Sequence, residues 1–417
     1  MLEKYIYYTY ILLICSIIII PSGWIYNINI RIILMGLLVS SLILLFLKRN
    51  YIMKNILQLI FVLLLLLSLA LTYSILQGQT YTEDIFAQFK RIFIVTSVLI
   101  VSYSLLSLNI IKLRNILIPV IFATFIYSFL KVLIVFLVFV GFTEYAYIQE
   151  LLQQVFHYEI VGNWEIFTNI TRIQLINDIL IPFSLYFLLN RKIYKIEINK
   201  YISLFISTIF LIAIFVAYSR YIFLITFFVY FLTYTPHLKY KISIKTIFLS
   251  VALFLIIIFS LDSIIYLIED RFFSAYNTYS DDLRKEQFDA LIYEFYKYPL
   301  LGKGIGGYSE ILIRSKELPF LYEMQWIALL MQFGIIGISI IIFFIVLAVK
   351  KLLSIFLFQF IHKKKIDKNI ISILILYFLW LDASFTNPYL TSAISGIIFS
   401  IFLALNKFNV TVAEVDK

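Results

Sequence analysis

Long uninterrupted apolar runs recur along the whole chain, and they constrain its fold more than any other feature. Twelve runs approach or reach the roughly 20 residues that an α-helix needs to cross a bilayer. They lie at about 5–20, 28–47, 56–76, 92–111, 116–142, 173–189, 201–218, 221–235, 246–266, 322–349, 370–386 and 388–405. Each run is continuously apolar, unlike the alternating ten-residue strands of a membrane β-barrel. The sequence therefore predicts an all-α polytopic membrane protein with about twelve transmembrane helices.

Composition agrees with this fold class. Of the 417 residues, 63% are hydrophobic and 14% are charged, whereas about half of a typical globular chain is apolar. This balance excludes a water-soluble fold, and we expect one integral-membrane domain over 1–417. Cys15 is the single cysteine, so no disulfide within the chain is possible. The first run is followed by Pro21-Ser22-Gly23-Trp24, which lacks a small-x-small cleavage site, so we expect it to remain as a start-transfer helix.

The charged residues predict an orientation. If the N-terminus is cytoplasmic, most of the 34 Lys and Arg residues fall in inner segments, as the positive-inside rule requires. Both termini are then cytoplasmic. Acidic residues, including Glu144, Glu150, Glu159 and Glu165, concentrate on the outer side. The net charge of +10 does not indicate a nucleic-acid partner, because no basic arm exists outside the membrane pattern.

The longest extramembrane segment is the predicted outer loop at about 267–321, between spans nine and ten; a shorter outer segment lies at about 143–171. Within the longer loop, an apolar stripe at helical spacing predicts an amphipathic helix that starts at Ser280 or Asp281 and stops before Pro299. The stripe consists of Phe288, Leu291, Ile292 and Phe295. A glycine-rich stretch, 302–307, follows, and we expect it to be a flexible turn.

Motifs for soluble cofactors are weak. Gly302-x-Gly304-x-x-Gly307 formally matches a dinucleotide fingerprint, but it lies in no βαβ unit. There is no Walker A sequence. The histidines His157, His237 and His362 are scattered, and no cluster has metal-ligand spacing. We therefore expect no cofactor and no metal.

Three charged residues lie within or between apolar runs, where charge must pair, snorkel or line a cavity. Arg220 separates spans seven and eight with almost no loop. It is either an interfacial anchor or a guanidinium that binds a phosphate. Asp178 and Asp382 are either ion-pair partners or proton-coupling groups.

Four motifs in order carry a family resemblance. Ser219-Arg220 opens a span, and Arg284-x-x-x-Phe288 follows in the outer loop. Tyr298-Pro299-Leu300-Leu301-Gly302 comes next, before Gly334-Ile335-Ile336-Gly337 within a span. This arrangement resembles the O-antigen polymerase and ligase superfamily in detail over about 219–349; the remainder agrees in span count and topology.

The resemblance implies a GT-C-like, all-helical glycosyltransferase of the bacterial cytoplasmic membrane. Such enzymes use undecaprenyl-diphosphate-linked oligosaccharides on the outer face. Where ligase members carry a histidine, this chain has Glu323, and their glutamate two residues before the glycine pair is Gln332. These departures favour a polymerase-like member.

Site residues follow from the family positions together with physical chemistry. Glu323 is the expected catalytic base, although a glutamate in the first turn of a helix is also favoured by the helix dipole. The expected diphosphate-binding residues are Arg220, Arg284, Arg172 and Arg271, and the expected glycan-binding residues are Tyr298, Tyr308, Tyr322 and Trp326. Tyrosine and tryptophan also belong to interfacial belts without any substrate role.

Three functions remain open. The first is polymerisation of lipid-linked repeat units into O-antigen or capsular polysaccharide. The second is a ligase that transfers the finished glycan to a lipid A core or another acceptor. The third is a flippase or transporter for a lipid-linked sugar. The resemblance implies membrane lipid, a chain-length regulator and a flippase as partners of a polymerase.

Overall fold

A computed structural model describes residues 2–48, 54–157, 165–167, 170–234, 275–362 and 367–407. These residues form fourteen α-helices and two short antiparallel hairpins. Seven of the described helices are long and apolar enough to cross a membrane. The prediction of an all-α polytopic membrane protein is therefore confirmed at that level. The predicted ninth span, 246–266, and Arg271 lie outside the described residues.

Eleven described helices coincide with predicted spans. They are α1 (Leu2–Ile19), α2 (Ile30–Lys48), α3 (Lys54–Gln77), α4 (Thr82–Ser107), α5 (Leu113–Phe139), α7 (Leu180–Leu189), α8 (Lys200–Ala217), α9 (Arg220–Tyr234), α11 (Gln325–Ala348), α13 (Lys368–Ala383) and α14 (Ala393–Lys407). A 3-10 turn, Ile176–Ile179, leads into α7. The hairpins are β1 (Trp24–Ile25) with β2 (Ile28–Asn29), and β3 (Glu165–Phe167) with β4 (Ile170–Thr171).

Three helices lie between the predicted spans: α6 (Tyr145–Phe156), α10 (Ala275–Lys297) and α12 (Lys350–Ile361). The sequence predicts only α10. Its end before Pro299 agrees, because the residue before a proline disfavours helical geometry, but it begins earlier, at Ala275. The predicted apolar stripe is wrong in detail, because Phe288 is 40% exposed. The buried face instead consists of Gln287, Ala290, Leu291 and Glu294.

The helices present apolar side chains outward as well as inward. On α3, Phe61 and Leu69 are more than half exposed, and α2 and α5 carry similar residues. In water such surfaces would aggregate, whereas a bilayer covers them at no cost. The interior is closely packed, with Tyr377 lying edge-on to Phe402 at 4.5 Å between ring centroids.

Loops gather at two opposite ends of the bundle. At one end, the Tyr26 amide donates to the Val155 carbonyl over 2.7 Å, which joins the first hairpin to α6. At the other end, Arg114 pairs with Glu197 at 2.9 Å. We call the end that carries 20–29, 140–157, 217–220 and 298–324 the outer end, following the Lys and Arg distribution, and its opposite the inner end.

Candidate functional site

The outer end is built around a break in α11. Gly334 has φ 63° and ψ −171°, so the helix is interrupted within the span. The irregular backbone of 299–304 lies across this break and satisfies the groups that it frees. Ile335 donates its amide to the Pro299 carbonyl over 2.9 Å, and Lys303 donates to the Met331 carbonyl over 2.8 Å. Irregular backbone at this position is tolerated because another segment supplies the missing hydrogen bonds.

Two glycines permit this crossing. A Cβ atom on Gly302 would lie 2.3 Å from the Gln332 carbonyl oxygen, and one on Gly334 would lie 2.3 Å from the Leu300 oxygen. Both glycines also have a positive φ, which other residues rarely adopt. The prediction of a flexible turn over 302–307 is therefore wrong, since these residues are buried and hydrogen-bonded on both sides.

Helices α3 and α4 hold the other side of the glycine-rich stretch. Ser74 Oγ accepts from the Ile305 amide over 2.7 Å, and Gln88 Oε1 accepts from the Gly306 amide. Gln88 Nε2 also donates to Gln332 Oε1 over 2.6 Å. Gln332 stands at the position where the resemblance places a glutamate in ligase members. Through its hydrogen bond with Gln88, it helps to hold the glycine-rich backbone in place.

Helix α10 is attached to this support through a buried charge pair. Lys303 Nζ donates to Glu294 Oε2 over 3.2 Å, and Lys297 Nζ donates to Glu294 Oε1 over 2.8 Å. Burial alone would raise the pKa of Glu294, but the hydrogen bonds and positive charges of Lys297 and Lys303 hold that pKa below its usual value. The carboxylate therefore remains charged and holds α10 in place.

An arginine–glutamate cluster, Arg284, Arg314 and Glu323, lies between α10 and the start of α11. Arg284 Nε donates to Glu323 Oε2 over 3.1 Å, and Arg314 Nη2 donates to Glu323 Oε1 over 2.6 Å. The side chains are 25%, 32% and 32% exposed, in that order. Arg284 and Arg314 thus present two partly exposed guanidinium groups around the Glu323 carboxylate at the outer end.

Sequence reasoning singled out Arg284 and Glu323 but missed Arg314. Arg314 lies in the irregular loop between the glycine-rich stretch and α11, where no helical period or motif marks it. The one sequence feature that could have drawn attention to Arg314 is that it is a basic residue nine positions before Glu323.

A second arginine group lies at the turn between α8 and α9. Arg172 donates from Nε to the Ala217 carbonyl over 3.2 Å and from Nη2 to Gln174 Oε1. Arg220 is the first residue of α9, three positions after Ala217. The structure therefore brings Arg172 and Arg220 to the same turn at the outer end.

The C-terminal end of α13 borders both arginine groups. Tyr221, next to Arg220, donates to Asp382 Oδ2 over 2.8 Å and to the Leu379 carbonyl over 2.6 Å. Trp326, three residues after Glu323, donates from Nε1 to the Leu381 carbonyl over 2.9 Å. Asp382 thus accepts a hydrogen bond from a tyrosine.

Asp178 is fully buried and forms an ion pair. Lys131 Nζ donates to Asp178 Oδ1 over 2.9 Å and to Oδ2 over 2.8 Å, and Tyr127 donates to Oδ1 over 2.8 Å. The Leu175 amide adds a further hydrogen bond of 2.9 Å. Of the two alternatives left by the sequence, the ion-pair role is the one that this geometry favours.

The four aromatic candidates differ in their surroundings. Tyr322 is 2% exposed, its hydroxyl accepts from the Ser309 amide and donates to the Leu312 carbonyl, and burial raises its pKa to about 12. It closes a loop and presents little ring surface to a ligand. Tyr298, Tyr308 and Trp326 are half-buried at the outer end.

The chemistry available at the outer end is cationic. Among the described residues, no group of three or more His, Cys, Asp or Glu side chains gathers to hold a metal ion. The arginine side chains at this end can supply positive charge to a bound anion.

No protein-family profile matches the chain, and a search of curated proteins found no match.

Proposed function

We propose that the chain is a GT-C-like membrane glycosyltransferase that polymerises undecaprenyl-diphosphate-linked oligosaccharide repeat units into O-antigen or capsular polysaccharide. The proposed site faces outward from the bacterial cytoplasmic membrane, with about twelve spans and both termini inside. The observation that carries the proposal is the arginine–glutamate cluster, which combines two cations and one carboxylate on a rigid support at one end of the bundle.

Polymerisation requires two lipid diphosphates at once, because the growing chain and the new repeat unit are both lipid-linked. The two arginine groups at the outer end fit this requirement. Arg284 and Arg314 belong to one group, and Arg172 and Arg220 belong to the other. Guanidinium groups suit diphosphates because their planar donors can bind two oxygens together. We assign one group to each substrate.

The reaction forms one glycosidic bond and breaks one bond to phosphate. A sugar hydroxyl of the new repeat unit attacks the anomeric carbon of the growing chain, and the diphosphate leaves with the bonding electron pair. Fixed arginines stabilise the negative charge that develops on the leaving diphosphate. The configuration at the anomeric carbon inverts, and no covalent glycosyl-enzyme forms.

Glu323 takes the proton of the attacking hydroxyl in this mechanism. Each carboxylate oxygen that accepts from an arginine retains a second acceptor position. A diphosphate also competes with Glu323 for the guanidinium groups, so substrate binding would weaken both ion pairs and release the carboxylate toward the hydroxyl. Of the four predicted glycan-binding residues, Tyr298, Tyr308 and Trp326 retain exposed ring surface that could contact sugars.

Purified protein in liposomes tests this function. We expect the lipid-linked repeat unit from the source cell to grow into longer lipid-linked chains, with one undecaprenyl diphosphate released per bond formed. Transfer of the glycan to an added lipid A core, without growth of the lipid-linked chain, would identify a ligase. Movement of the repeat unit between leaflets without growth would identify a flippase. Either result would overturn the polymerase.

A further inference from the structure

Gln287 is a fully buried polar side chain with no use in the scheme above. It is 0% exposed, and within the described ranges neither its amide nitrogen nor its amide oxygen has a hydrogen-bond partner. Buried amide groups are paired in the great majority of native proteins, so an unpaired one requires an explanation. Other buried glutamines at this end are paired, as Gln88, Gln325 and Gln332 show.

The position of Gln287 connects it to the arginine–glutamate cluster. It follows Arg284 by three residues and precedes Leu291 by four on α10, so all three share one helix face. Arg284 pairs with Glu323, and Leu291 packs in an apolar cluster with Tyr322 and Met331. Gln287 therefore lies between a half-exposed ion pair and an apolar floor.

Burying the Gln287 amide without partners lowers the stability of the folded protein. Removing an amide from water without giving it partners is unfavourable, and an apolar side chain of the same size would fill the site better. Departures from optimal hydrogen bonding are expected at functional sites, where proteins lose stability in exchange for function.

We propose that Gln287 binds the sugar of the acceptor repeat unit, beneath the arginine–glutamate cluster. The inference rests on the proposed function and adds a residue and a substrate group to it. When a diphosphate engages Arg284 and Arg314, the ion pairs to Glu323 loosen and the Gln287 amide, one helical turn from Arg284, becomes accessible to the sugar.

The amide matches a sugar ring chemically. It offers two donors and one acceptor oxygen on a flat group, and adjacent ring hydroxyls each donate and accept. One amide can therefore bind two neighbouring hydroxyls. The same contacts orient the attacking hydroxyl next to Glu323, which makes Gln287 a binding residue for the acceptor and not a proton-transfer group.

The test replaces Gln287 with methionine, which keeps the length of the side chain and removes the amide. We expect the purified Gln287→Met protein to unfold at a higher temperature than the wild type. The KM for the lipid-linked repeat unit should rise about tenfold or more, as the loss of a paired buried hydrogen bond implies, with a smaller change in kcat. Gln88→Met is the matched control for stability, because Gln88 is paired, and it should lower the unfolding temperature.

Two lipid probes separate sugar binding from phosphate binding. The repeat unit should stabilise the wild type against heat more than it stabilises Gln287→Met, whereas undecaprenyl diphosphate without sugar should stabilise both equally. Unchanged KM and equal stabilisation by the repeat unit in both proteins would overturn the inference. If the wild type makes no polymer but the sugar-dependent stabilisation still requires Gln287, the inference stands and the proposed function fails.

Discussion

Glu323 accepts hydrogen bonds from two arginines that lie in different segments of the chain. The balance between these arginines and the carboxylate decides what the cluster can bind. Both guanidinium groups that pair with Glu323 are partly exposed, Arg284 at 25% and Arg314 at 32%. Surface ion pairs of this exposure contribute at most about 1 kcal/mol to stability, so the cluster is weak evidence for a structural role. In the proposed function, an anionic substrate competes with Glu323 for these guanidinium groups.

Arg314→Ala tests the role of the cluster at the residue scale. Loss of one cation from the diphosphate site should lower polymerisation at least about tenfold, since charge-assisted hydrogen bonds are worth about 1.5–3 kcal/mol. Thermal stability should change little. Arg114→Ala is the matched control, because Arg114 is also ion-paired and lies at the inner end; its activity should equal that of the wild type. Equal activity of the two variants would contradict a role for Arg314 in binding the diphosphate.

Residue spacing predicts only part of this cluster. Arg284 and Glu323 stand at positions where the family motifs draw attention to them. Arg314 lies in a loop without periodicity, and its contact with Glu323 depends on how 308–322 folds back through Tyr322. Gln287 is equally unmarked, because burial on one helix face follows from packing against α11 and not from its residue type.

The broken helix α11 and the glycine-rich stretch act as one structural element. Their backbones cross at Gly302 and Gly334, and α10 is tied to the crossing by Lys303 and Glu294. Glu323 lies just before α11, and Arg284 lies on α10. The crossing therefore sets the distance between these two side chains. Rigid positioning of this kind is what preorganised charge stabilisation requires.

Gly334→Ala should damage this element. Its Cβ would collide with the Leu300 carbonyl, and the positive φ adds backbone strain of about 1–3 kcal/mol. We expect a lower unfolding temperature and loss of polymerisation. Gly36→Ala, in α2, is the matched control because nothing lies within 4 Å of its added Cβ. A Gly334→Ala protein with wild-type stability would contradict the close contact between the two backbones at this crossing.

The Lys131–Asp178 pair gives a second test at the element scale. Removal of one partner from a buried ion pair costs about 3–5 kcal/mol, because it leaves the other charge unpaired. Lys131→Met should therefore destabilise the protein strongly. The double variant Lys131→Met with Asp178→Asn should recover part of the lost unfolding temperature, because asparagine is uncharged and keeps an oxygen acceptor for Tyr127 and the Leu175 amide. A double variant less stable than either single variant would show that the pair contributes beyond mutual neutralisation.

The positions of the helices were easier to predict from the sequence than the contacts between them. Apolar runs located the helices because each span must satisfy its own backbone in lipid. Helix α4 begins at Thr82, well before its apolar run, since polar residues such as Gln88 face the glycine-rich stretch. Helix α12 was missed, because its apolar residues lie between lysines in a short inner segment. The rigidity of 302–307 depends on long-range hydrogen bonds that glycine content alone does not reveal.

At the scale of the whole molecule, the bundle separates two chemically different ends. The outer end carries the arginine groups, the aromatic residues and α10. The inner end carries exposed lysines such as Lys192 and the Arg114–Glu197 pair. This separation follows from an alternating path of spans, and the excess of Lys and Arg predicts that the inner end is cytoplasmic.

Single-cysteine labelling tests this orientation. In a Cys15→Ser background, Glu310→Cys should react with a membrane-impermeant maleimide in intact spheroplasts, because Glu310 is exposed at the outer end. Lys192→Cys should react only after the membrane is opened. The reverse pattern would place the arginine–glutamate cluster in the cytoplasm, away from outward-facing lipid-linked glycans.

The glycan ladder of the source cell tests most directly whether the outer arginine–glutamate cluster polymerises lipid-linked repeat units. The ladder is compared between the wild type, a full deletion and a Glu323→Gln replacement. We predict that both mutants lose long chains and retain a single capped repeat. Long chains of wild-type length in the deletion strain would contradict the polymerase, and a normal ladder in Glu323→Gln beside a collapsed one in the deletion would contradict the role of Glu323.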